Sequence, residues 1–255
     1  MKDKIVMITG ASAGIGYATA LAFAQLGARL VITGRRLAPL EALAERIRKT
    51  AAVAVMPLAF DVADNHAVDQ AWRSLPDTWQ GVDVLINNAG MALGLDRVAD
   101  GMIDQWHQVI DVNIKGVLHL VRAVLPGMIE RQRGHLIQLG SISAHEVYPG
   151  GSVYCATKFA VKALSQGLKM EVHGTPVRVT QIDPGMVETE FSLRRFGGDH
   201  ERAKAVYQGM NSLQAADVAD AIVYCATRPA HVNIPEMKIY PTDQTTQQMV
   251  VRRDS

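Results

Sequence analysis

A tyrosine and a lysine four residues apart, Tyr154 and Lys158 in the stretch SVYCATK, are the pair in this sequence that first suggests chemistry. Residues at this spacing share one face of a helix, so the phenol and the amine are able to face the same pocket. A free tyrosine has a pKa of about 10, and a cation at ~4 Å lowers it by ~3 units at an effective dielectric constant of ~20. The pair predicts a general acid or base, Tyr154, whose pKa is adjusted by the charge of Lys158.

A serine supplies the hydrogen-bond donor that this chemistry needs. Ser141 ends an apolar run that begins at about His135, and a hydroxyl at a strand end is well placed to donate to a substrate carbonyl oxygen. Each feature alone also fits an ordinary alternative, a surface pair on a helix or a serine turn after a strand. The elements around these residues must therefore supply a cofactor and a substrate site.

Short apolar runs alternate with amphipathic segments along the whole chain, which is typical of βαβ units. The predicted strands are residues 5–9, 29–33, 53–60, 82–87, 135–141, 177–182 and 237–240. The predicted helices are residues 14–27, 37–49, 65–75, 101–131, 151–173 and 215–227. The fold class that follows is α/β, a doubly wound, mostly parallel seven-stranded sheet with helices on both faces.

Length and composition favour one domain over residues 1–255, with 48% hydrophobic residues to form its core. Two segments interrupt the alternation. Residues 186–210 are charged, contain glycine and follow the turn Asp183-Pro184-Gly185, so they are predicted to form a substrate loop beyond the carboxyl end of a strand. Residues 241–255 are polar, and two alternatives stay open for this tail: disorder, or coverage of a neighbouring subunit.

A glycine-rich turn follows the first predicted strand and opens a helix, which is where a dinucleotide pyrophosphate binds in such sheets. Its residues are Gly10, Ala11, Ser12, Ala13, Gly14, Ile15 and Gly16. The end of the second strand has no acid to bind a ribose hydroxyl and carries two guanidiniums instead, Arg35 and Arg36. Arginine binds phosphate through a planar fork of donors, so the predicted cofactor is NADPH.

Together these motifs resemble the short-chain dehydrogenase/reductase family, and the resemblance covers residues 5 to about 190. The matching residues are TGASAGIG (9–16), Asp61-Val62, Asn87-Asn88-Ala89-Gly90, Asn113, Gly140-Ser141, Tyr154 with Lys158, and Asp183-Pro184-Gly185. The resemblance implies a Rossmann fold and an NADP-dependent oxidoreductase. It also implies that Asn113 holds a water that links Lys158 to solvent.

The resemblance implies further cofactor contacts. Asp61 and Val62 would lie near the adenine, and Asn88, Ala89 and Gly90 would support the cofactor. Pro184, Gly185, Val187 and Thr189 would flank the nicotinamide. One departure concerns Ala13, where many NADP-using relatives carry a basic residue. The 2′-phosphate would therefore depend on Arg35 and Arg36, with help from Ser12.

The substrate site is expected between residues 142–150 and the substrate loop. The stretches RAVLPGMIER, ETEFSLRRF and PAHVNI resemble the bacterial branch of serine/3-hydroxy acid dehydrogenases, with its sulfoacetaldehyde-reducing offshoot. By that resemblance Arg195 is the anion-binding residue, with Tyr148 and Gln244 as further contacts. The leading hypothesis is NADPH-dependent reduction of a small anionic aldehyde, sulfoacetaldehyde to isethionate or malonic semialdehyde to 3-hydroxypropionate. The alternative is oxidation of serine, allo-threonine or another 3-hydroxy acid.

Other function classes find less support. A net charge of +1 argues against a nucleic-acid partner or a polybasic membrane face. His145, His173 and His231 show no carboxylate or histidine partner at metal spacing, so no metal is predicted. A non-catalytic NADPH sensor stays a minor alternative. We expect a cytoplasmic location, and the family resemblance together with two long apolar helices predicts a homotetramer.

Overall fold

The computed structural model describes residues 1–253 and shows alternating strands and helices. The strands of the main sheet are β1 (Ile5–Ile8), β2 (Arg29–Gly34), β3 (Val55–Ala59), β4 (Val84–Asn87), β5 (Gly134–Leu139), β6 (Val177–Pro184) and β9 (Glu236–Ile239). All pairs in this sheet are parallel, in the order β3-β2-β1-β4-β5-β6-β9. The predicted seven-stranded doubly wound fold is confirmed. Strand order reverses between β1 and β4, the point at which such sheets bind ligands.

Helices cover both faces of the sheet, because its strands are apolar on both sides. They are α1 (Gly14–Gln25), α2 (Leu37–Ala51), α3 (Asn65–Ser74), α4 (Asp77–Gln80), α5 (Ile103–Ile110), α6 (Gly116–Glu130), α7 (Ser152–Glu171), α8 (Glu190–Arg195), α9 (His200–Ala205) and α10 (Ala215–Ala226). One core cluster joins the sheet to α1, α2 and α10, and the other joins it to α3, α6 and α7.

A π-helical turn, Asp111–Lys115, joins α5 to α6 within the single helix that the sequence predicts over residues 101–131. This helical stretch, Ile103–Glu130, has the length and hydropathy of a membrane span. Its residues Val117, Leu120 and Val124 are buried in the core beside the sheet.

The predicted substrate loop is a helical flap on a small strand base. Its helices α8 and α9 lie between β7 (Val187–Glu188) and β8 (Leu213–Gln214), which pair in parallel. Because β6 ends immediately before β7, the flap begins at the carboxyl edge of the sheet. This is the edge where Ser141 and the glycine-rich turn also lie.

The tail folds back onto its own chain over residues 241–253, so the alternative of disorder is wrong for that part. Gln244 and Val250 form an antiparallel bridge, and the Arg253 guanidinium pairs with the Asp243 carboxylate. Arg252 donates to the backbone carbonyls of Gln208 and Val206, just beyond α9. The tail therefore ties down the end of the flap. The last two residues of the predicted tail, 254 and 255, lie outside the described part.

Candidate active site

The glycine-rich turn is held by Asn88, at the end of the neighbouring β4. The Asn88 side chain donates to the carbonyls of Thr9 and Gly10, at 2.8 and 3.2 Å. A Cβ on Gly16 would lie only 2.5 Å from the same Asn88 nitrogen, and Gly10 has a φ of +66° that favours glycine. The glycines are therefore required by the close approach of backbone and amide. Ala13 precedes α1 without a hydrogen-bonding side chain of its own, so the first N–H groups of the helix face the cleft.

Arg35 and Arg36 lie at the corner where the second strand ends, and both are exposed. Ser12 reaches the same corner, since its Oγ would be 3.6 Å from a Cβ on Gly34. Two guanidiniums and a hydroxyl thus surround one edge of the cleft. This donor set suits a phosphate monoester and has no carboxylate to repel it.

Asp61 and Val62 follow β3 and form the neighbouring wall. The Asp61 carboxylate accepts from the backbone N–H of Ala63, and the Val62 carbonyl accepts from His119 on α6. Gly116 permits this contact, because a Cβ there would lie 2.7 Å from a Val62 methyl group. Both residues line the cleft, as the resemblance predicts, and their contact with an adenine stays a prediction.

Ser141, Tyr154 and Lys158 meet at the floor of the cleft. Lys158 is buried and donates to the carbonyl of Leu139 at 2.9 Å, and its nitrogen lies 5.7 Å from the centre of the Tyr154 ring. Ser141 Oγ donates to Ser143 Oγ and accepts from the Ser143 N–H, both at 3.1 Å. The predicted acid, donor and cation are therefore adjacent.

The pKa of Tyr154 is not lowered as the sequence predicts. Burial raises the pKa of Tyr154 above its ordinary value, and the opposing contributions come from a hydrogen bond with Ser141 and from the charge of Arg195. Burial also lowers the pKa of Lys158 to about 8, against the raising effect of the Asp183 carboxylate. In the folded protein the desolvation of Tyr154 therefore outweighs the lowering of its pKa that a nearby Lys158 charge predicts.

Asn113 lies in the π-helical turn and is buried. Its amide oxygen accepts from the Met91 N–H at 2.8 Å, and its amide nitrogen donates to the Met91 carbonyl and to Thr157 Oγ1. The side chain thus clamps the chain after β4 to the helix that carries Tyr154. The predicted water link to Lys158 stays a prediction.

Arg195 is the last residue of α8 in the flap and projects into the cleft. Its Nη1 donates to Tyr148 Oη at 2.8 Å and its Nε donates to the Gly94 carbonyl at 2.9 Å. The guanidinium carbon lies 5.5 Å from the Tyr148 ring centre and 5.8 Å from the Tyr154 ring centre. A fixed cation therefore stands beside the predicted proton donor, as a site for an anionic substrate requires.

Gln244 does not lie at this site, although it was predicted as a substrate contact. It is buried behind the flap, where its Oε1 accepts from the Met186 N–H at 2.8 Å and its Nε2 donates to the Thr246 carbonyl. The tail hairpin turns the Gln244 amide inward, where both its oxygen and its nitrogen are hydrogen-bonded to backbone. Gln247, three residues further along, reaches the cleft instead and donates to Ser143 Oγ at 2.7 Å.

One cleft of about 1310 Å³ brings most of the predicted site residues together, from the glycine-rich turn to the flap. Its predicted lining residues are Gly10, Ser12, Ala13, Gly14, Ile15, Arg35, Arg36, Asp61, Val62, Asn88, Ala89, Gly90, Ser141, Tyr148, Tyr154, Lys158, Pro184, Gly185, Val187, Thr189 and Arg195. Gly16, Asn113 and Gln244 lie behind this lining. The cleft joins the glycine-rich turn to Arg195 with Tyr154 among its lining residues, so cofactor and substrate would meet at Tyr154.

Residues 4–197 match the short chain dehydrogenase family. The chain belongs to that family. This short-chain dehydrogenase is 42% identical, over 98% of its length and 99% of the relative's, to an NADP-dependent 3-hydroxy acid dehydrogenase of Salmonella typhi. It is 40% identical to a serine 3-dehydrogenase of Agrobacterium fabrum over 98% of each chain.

The chain is also similar to solved structures of serine dehydrogenases. A closed form of serine dehydrogenase complexed with NADP+ superposes with a TM-score of 0.92 at 40% identity, over 98% of this chain and all of that one. A serine dehydrogenase from Escherichia coli matches with a TM-score of 0.81 at 37% identity, over 94% and 99%. The predictions of the family, the fold and an oxidoreductase are confirmed.

Two polar groups of the dehydrogenase were missed from the sequence. Gln247 lies in a polar tail whose composition has no signal for a site. His145 has no carboxylate at metal spacing in the sequence, but the fold brings two to it: its Nε2 lies 2.8 Å from Asp183 Oδ2 and 3.9 Å from Glu236 Oε1. These three residues are close enough to share a cation, but the Lys162 ammonium already lies 3.5 Å from Glu236. The prediction of no metal stays a prediction.

Proposed function

We propose that this short-chain dehydrogenase oxidises small 3-hydroxy acids, among them L-serine, with NADP, and that it reduces the corresponding anionic semialdehydes in reverse. The observation that carries the proposal is the Arg195 guanidinium, bonded to Tyr148 and placed beside the Tyr154 ring. When a substrate reacts at Tyr154, a carboxylate two or three bonds from its reacting carbon would lie within reach of Arg195. The relatives named for NADP, 3-hydroxy acids and serine support the same assignment.

The glycine-rich turn and the arginine corner fit NADP. Gly10 and Gly14 line the cleft at the N-terminus of α1, a position that suits a pyrophosphate, and Arg35 and Arg36 supply donors for a 2′-phosphate. Bound NADP would supply the hydride acceptor for the carbon that bears the substrate hydroxyl. The residues of the chain bind and orient the substrate and move the proton.

Tyr154 takes the hydroxyl proton during oxidation and returns it during reduction. Ser141 Oγ, which has a single O–H, turns from Ser143 toward the substrate oxygen and stabilises its developing charge. Lys158 stays behind Tyr154 as a buried cation bonded to the Leu139 carbonyl, where a charged ammonium favours the phenolate. These roles rest on the adjacency of the three side chains.

Reduction of sulfoacetaldehyde is the second candidate, because Arg195 would bind a sulfonate by the same charge. A sulfonate presents three oxygens, and Gln244 was the third donor expected for it. Since the Gln244 amide is bonded to Met186 and Thr246, Arg195 and Tyr148 remain as two convergent donors. Without Gln244, the set of three side chains that would favour a sulfonate over a carboxylate is incomplete.

A substrate panel tests the proposal. NADP reduction is measured with L-serine, allo-threonine and 3-hydroxypropionate, and NADPH oxidation with malonic semialdehyde and sulfoacetaldehyde. We expect the 3-hydroxy acids and malonic semialdehyde to have the highest kcat/KM. A sulfoacetaldehyde value higher than all the carboxylates would favour the second candidate. A Tyr154→Phe variant is the control that separates enzymatic turnover from background reduction and from mere NADPH binding by a sensor.

We also propose a homotetramer that works in the cytoplasm. Exposed apolar residues on the long helices, Leu118 on α6 with Phe159 and Met170 on α7, support self-association. Both cysteines, Cys155 and Cys225, are free and buried, as is usual in a reducing compartment. Light scattering of the purified enzyme tests the assembly, and a monomeric mass at assay concentration would refute it.

A further inference from the structure

A buried carboxylate lies directly behind the catalytic serine. Asp183, the last residue before the Pro184-Gly185 turn, is fully buried, and its Oδ1 accepts from the Ser141 backbone N–H at 2.9 Å. A Cβ on Gly140 would lie within 1.9 Å of this oxygen, so the strand end carries a glycine where the carboxylate passes. The position of Ser141 is therefore coupled to the position of Asp183.

Two side chains donate hydrogen bonds to this carboxylate. Gln181 Nε2 donates to both oxygens, at 2.8 and 2.9 Å, and His145 Nε2 lies 2.8 Å from Oδ2. A buried carboxylate without such donors would be costly, because desolvation penalises its charge. Burial does raise the pKa of Asp183, and the hydrogen bonds from His145 and Gln181 oppose that rise.

Lys162 determines which nitrogen of His145 carries the proton. Its Nζ lies 2.8 Å from His145 Nδ1, and an ammonium is able only to donate. Nδ1 is therefore the acceptor and Nε2 the donor toward Asp183. Lys162 is four residues beyond Lys158 on the same helix, so one face of α7 carries Tyr154, Lys158 and Lys162 in sequence.

We propose that His145 is a positioning residue of the reaction: acting through Asp183, and oriented by Lys162, it holds the backbone of Ser141 so that the serine hydroxyl meets the substrate oxygen. The proposal rests on the role proposed above for Ser141, and it does not depend on which hydroxy acid is the substrate. The effect belongs to the turnover step, since the Ser141 hydrogen bond strengthens as charge develops on that oxygen.

The charged surroundings of Asp183 come from α7 and from β9 with the residue that follows it. Lys158 acts on Asp183 from α7, where Lys162 contacts its partner His145; Glu236 and Lys238 lie on the adjacent β9, and Tyr240 follows that strand. Lys162 and Lys238 both pair with Glu236, at 3.5 and 3.8 Å. His145 is thus the group that connects this partly exposed ion cluster to the buried carboxylate.

His145→Ala and His145→Gln test the proposal, with the exposed His173→Ala as the control. We expect His145→Ala to lower kcat about 10- to 100-fold, while KM and the Kd for NADPH change less than about threefold. The acid limb of kcat/KM should move up by about one pH unit, because the ionised Asp183 loses a charge-assisted donor. Glutamine has both a donor for Asp183 and an acceptor for Lys162, so His145→Gln should restore kcat and the pH profile.

A second variant keeps the test decisive if His145→Ala does not fold. Lys162→Met acts at a partly exposed position and leaves the imidazole in place, but it removes the positive charge and the donor that orients the ring. It should move the acid limb in the same direction and lower kcat about threefold to tenfold. An unchanged kcat and pH profile in Lys162→Met, or equal losses in His145→Gln and His145→Ala with an unshifted profile, would overturn the proposal.

Ser141→Ala separates this inference from the proposed function. If Ser141→Ala turns over like the wild type, the role of the serine fails and the inference fails with it. If Ser141→Ala loses turnover but His145→Ala keeps it, only the inference fails. Both variants are assayed with the best substrate of the panel.

Discussion

Replacing Arg195 by alanine should remove the recognition of the substrate anion and leave the chemistry at Tyr154 in place. Arg195 uses one N–H on the Gly94 carbonyl and one on Tyr148 Oη. A guanidinium has five N–H donors, so three remain for a substrate carboxylate, enough for a paired interaction. The flap fold does not depend on this side chain alone, since the Gly94 N–H also donates to the Arg195 carbonyl.

The expected magnitude follows from those bonds. A hydrogen bond between charged groups contributes about 1.5–3 kcal/mol, and two of them at the lower end amount to about 3 kcal/mol. At about 1.4 kcal/mol per factor of ten, Arg195→Ala should lower kcat/KM for a 3-hydroxy acid by about 100-fold, mainly through KM. The neutral methyl ester of the same acid should lose less than about threefold.

The assay compares acid and ester in three variants. Arg195→Lys keeps the charge and loses the planar fork, so an intermediate loss of about tenfold is expected for the acid. Arg194→Ala is the matched control, because Arg194 is the neighbouring arginine on the same helix and pairs with Glu190 at the surface. It should change both substrates by less than about threefold.

Equal losses for acid and ester in Arg195→Ala would refute the reasoning. Arg195 would then act on the flap or on Tyr154 rather than on the substrate charge. Thermal unfolding and the Kd for NADPH are measured on each variant, so that a general loosening of the flap is recognised separately from a lost contact.

The remaining predictions concern the proton donor, the cofactor corner and the buried lysine. Tyr154→Phe should lose at least about 1000-fold in kcat while it binds NADPH with an unchanged Kd by fluorescence titration. Arg35→Ala, or Arg36→Ala, should raise KM for NADPH about tenfold or more and leave KM for NADH unchanged, and a parallel rise for both cofactors would argue against a 2′-phosphate contact. Burial lowers the pKa of Lys158 to about 8, so above that pH the unfolded chain holds a proton that the folded one has released, and the contribution of this group to the free energy of unfolding rises with pH. Denaturant unfolding from about pH 8 to about pH 9.5 should show that rise in the wild type relative to Lys158→Met, and equal slopes would contradict the assignment.

Local sequence patterns determined the part of the site that lies on single elements. The glycines of the turn after β1 are required where backbone and the Asn88 amide come within contact distance, and such residues can be recognised in the sequence itself. The spacing of Tyr154 and Lys158 places both on one helix face, and the missing acid after β2 is visible without a structure. The parallel sheet follows from apolar strands that alternate with amphipathic helices.

The tertiary structure alone decided which distant side chains meet. Gln244 and Gln247 differ by three positions in a polar tail, and the hairpin of that tail decides that Gln244 supports the loop after β6 while Gln247 enters the cleft. His145 and Asp183 are 38 residues apart, and they become partners because parallel strands bring their carboxyl ends to one edge. Desolvation of Tyr154 and Lys158 is likewise a property of the packed cleft, which no spacing in the sequence encodes. Local backbone requirements leave a signature in neighbouring residues, whereas long-range contacts and burial exist only after the chain has folded.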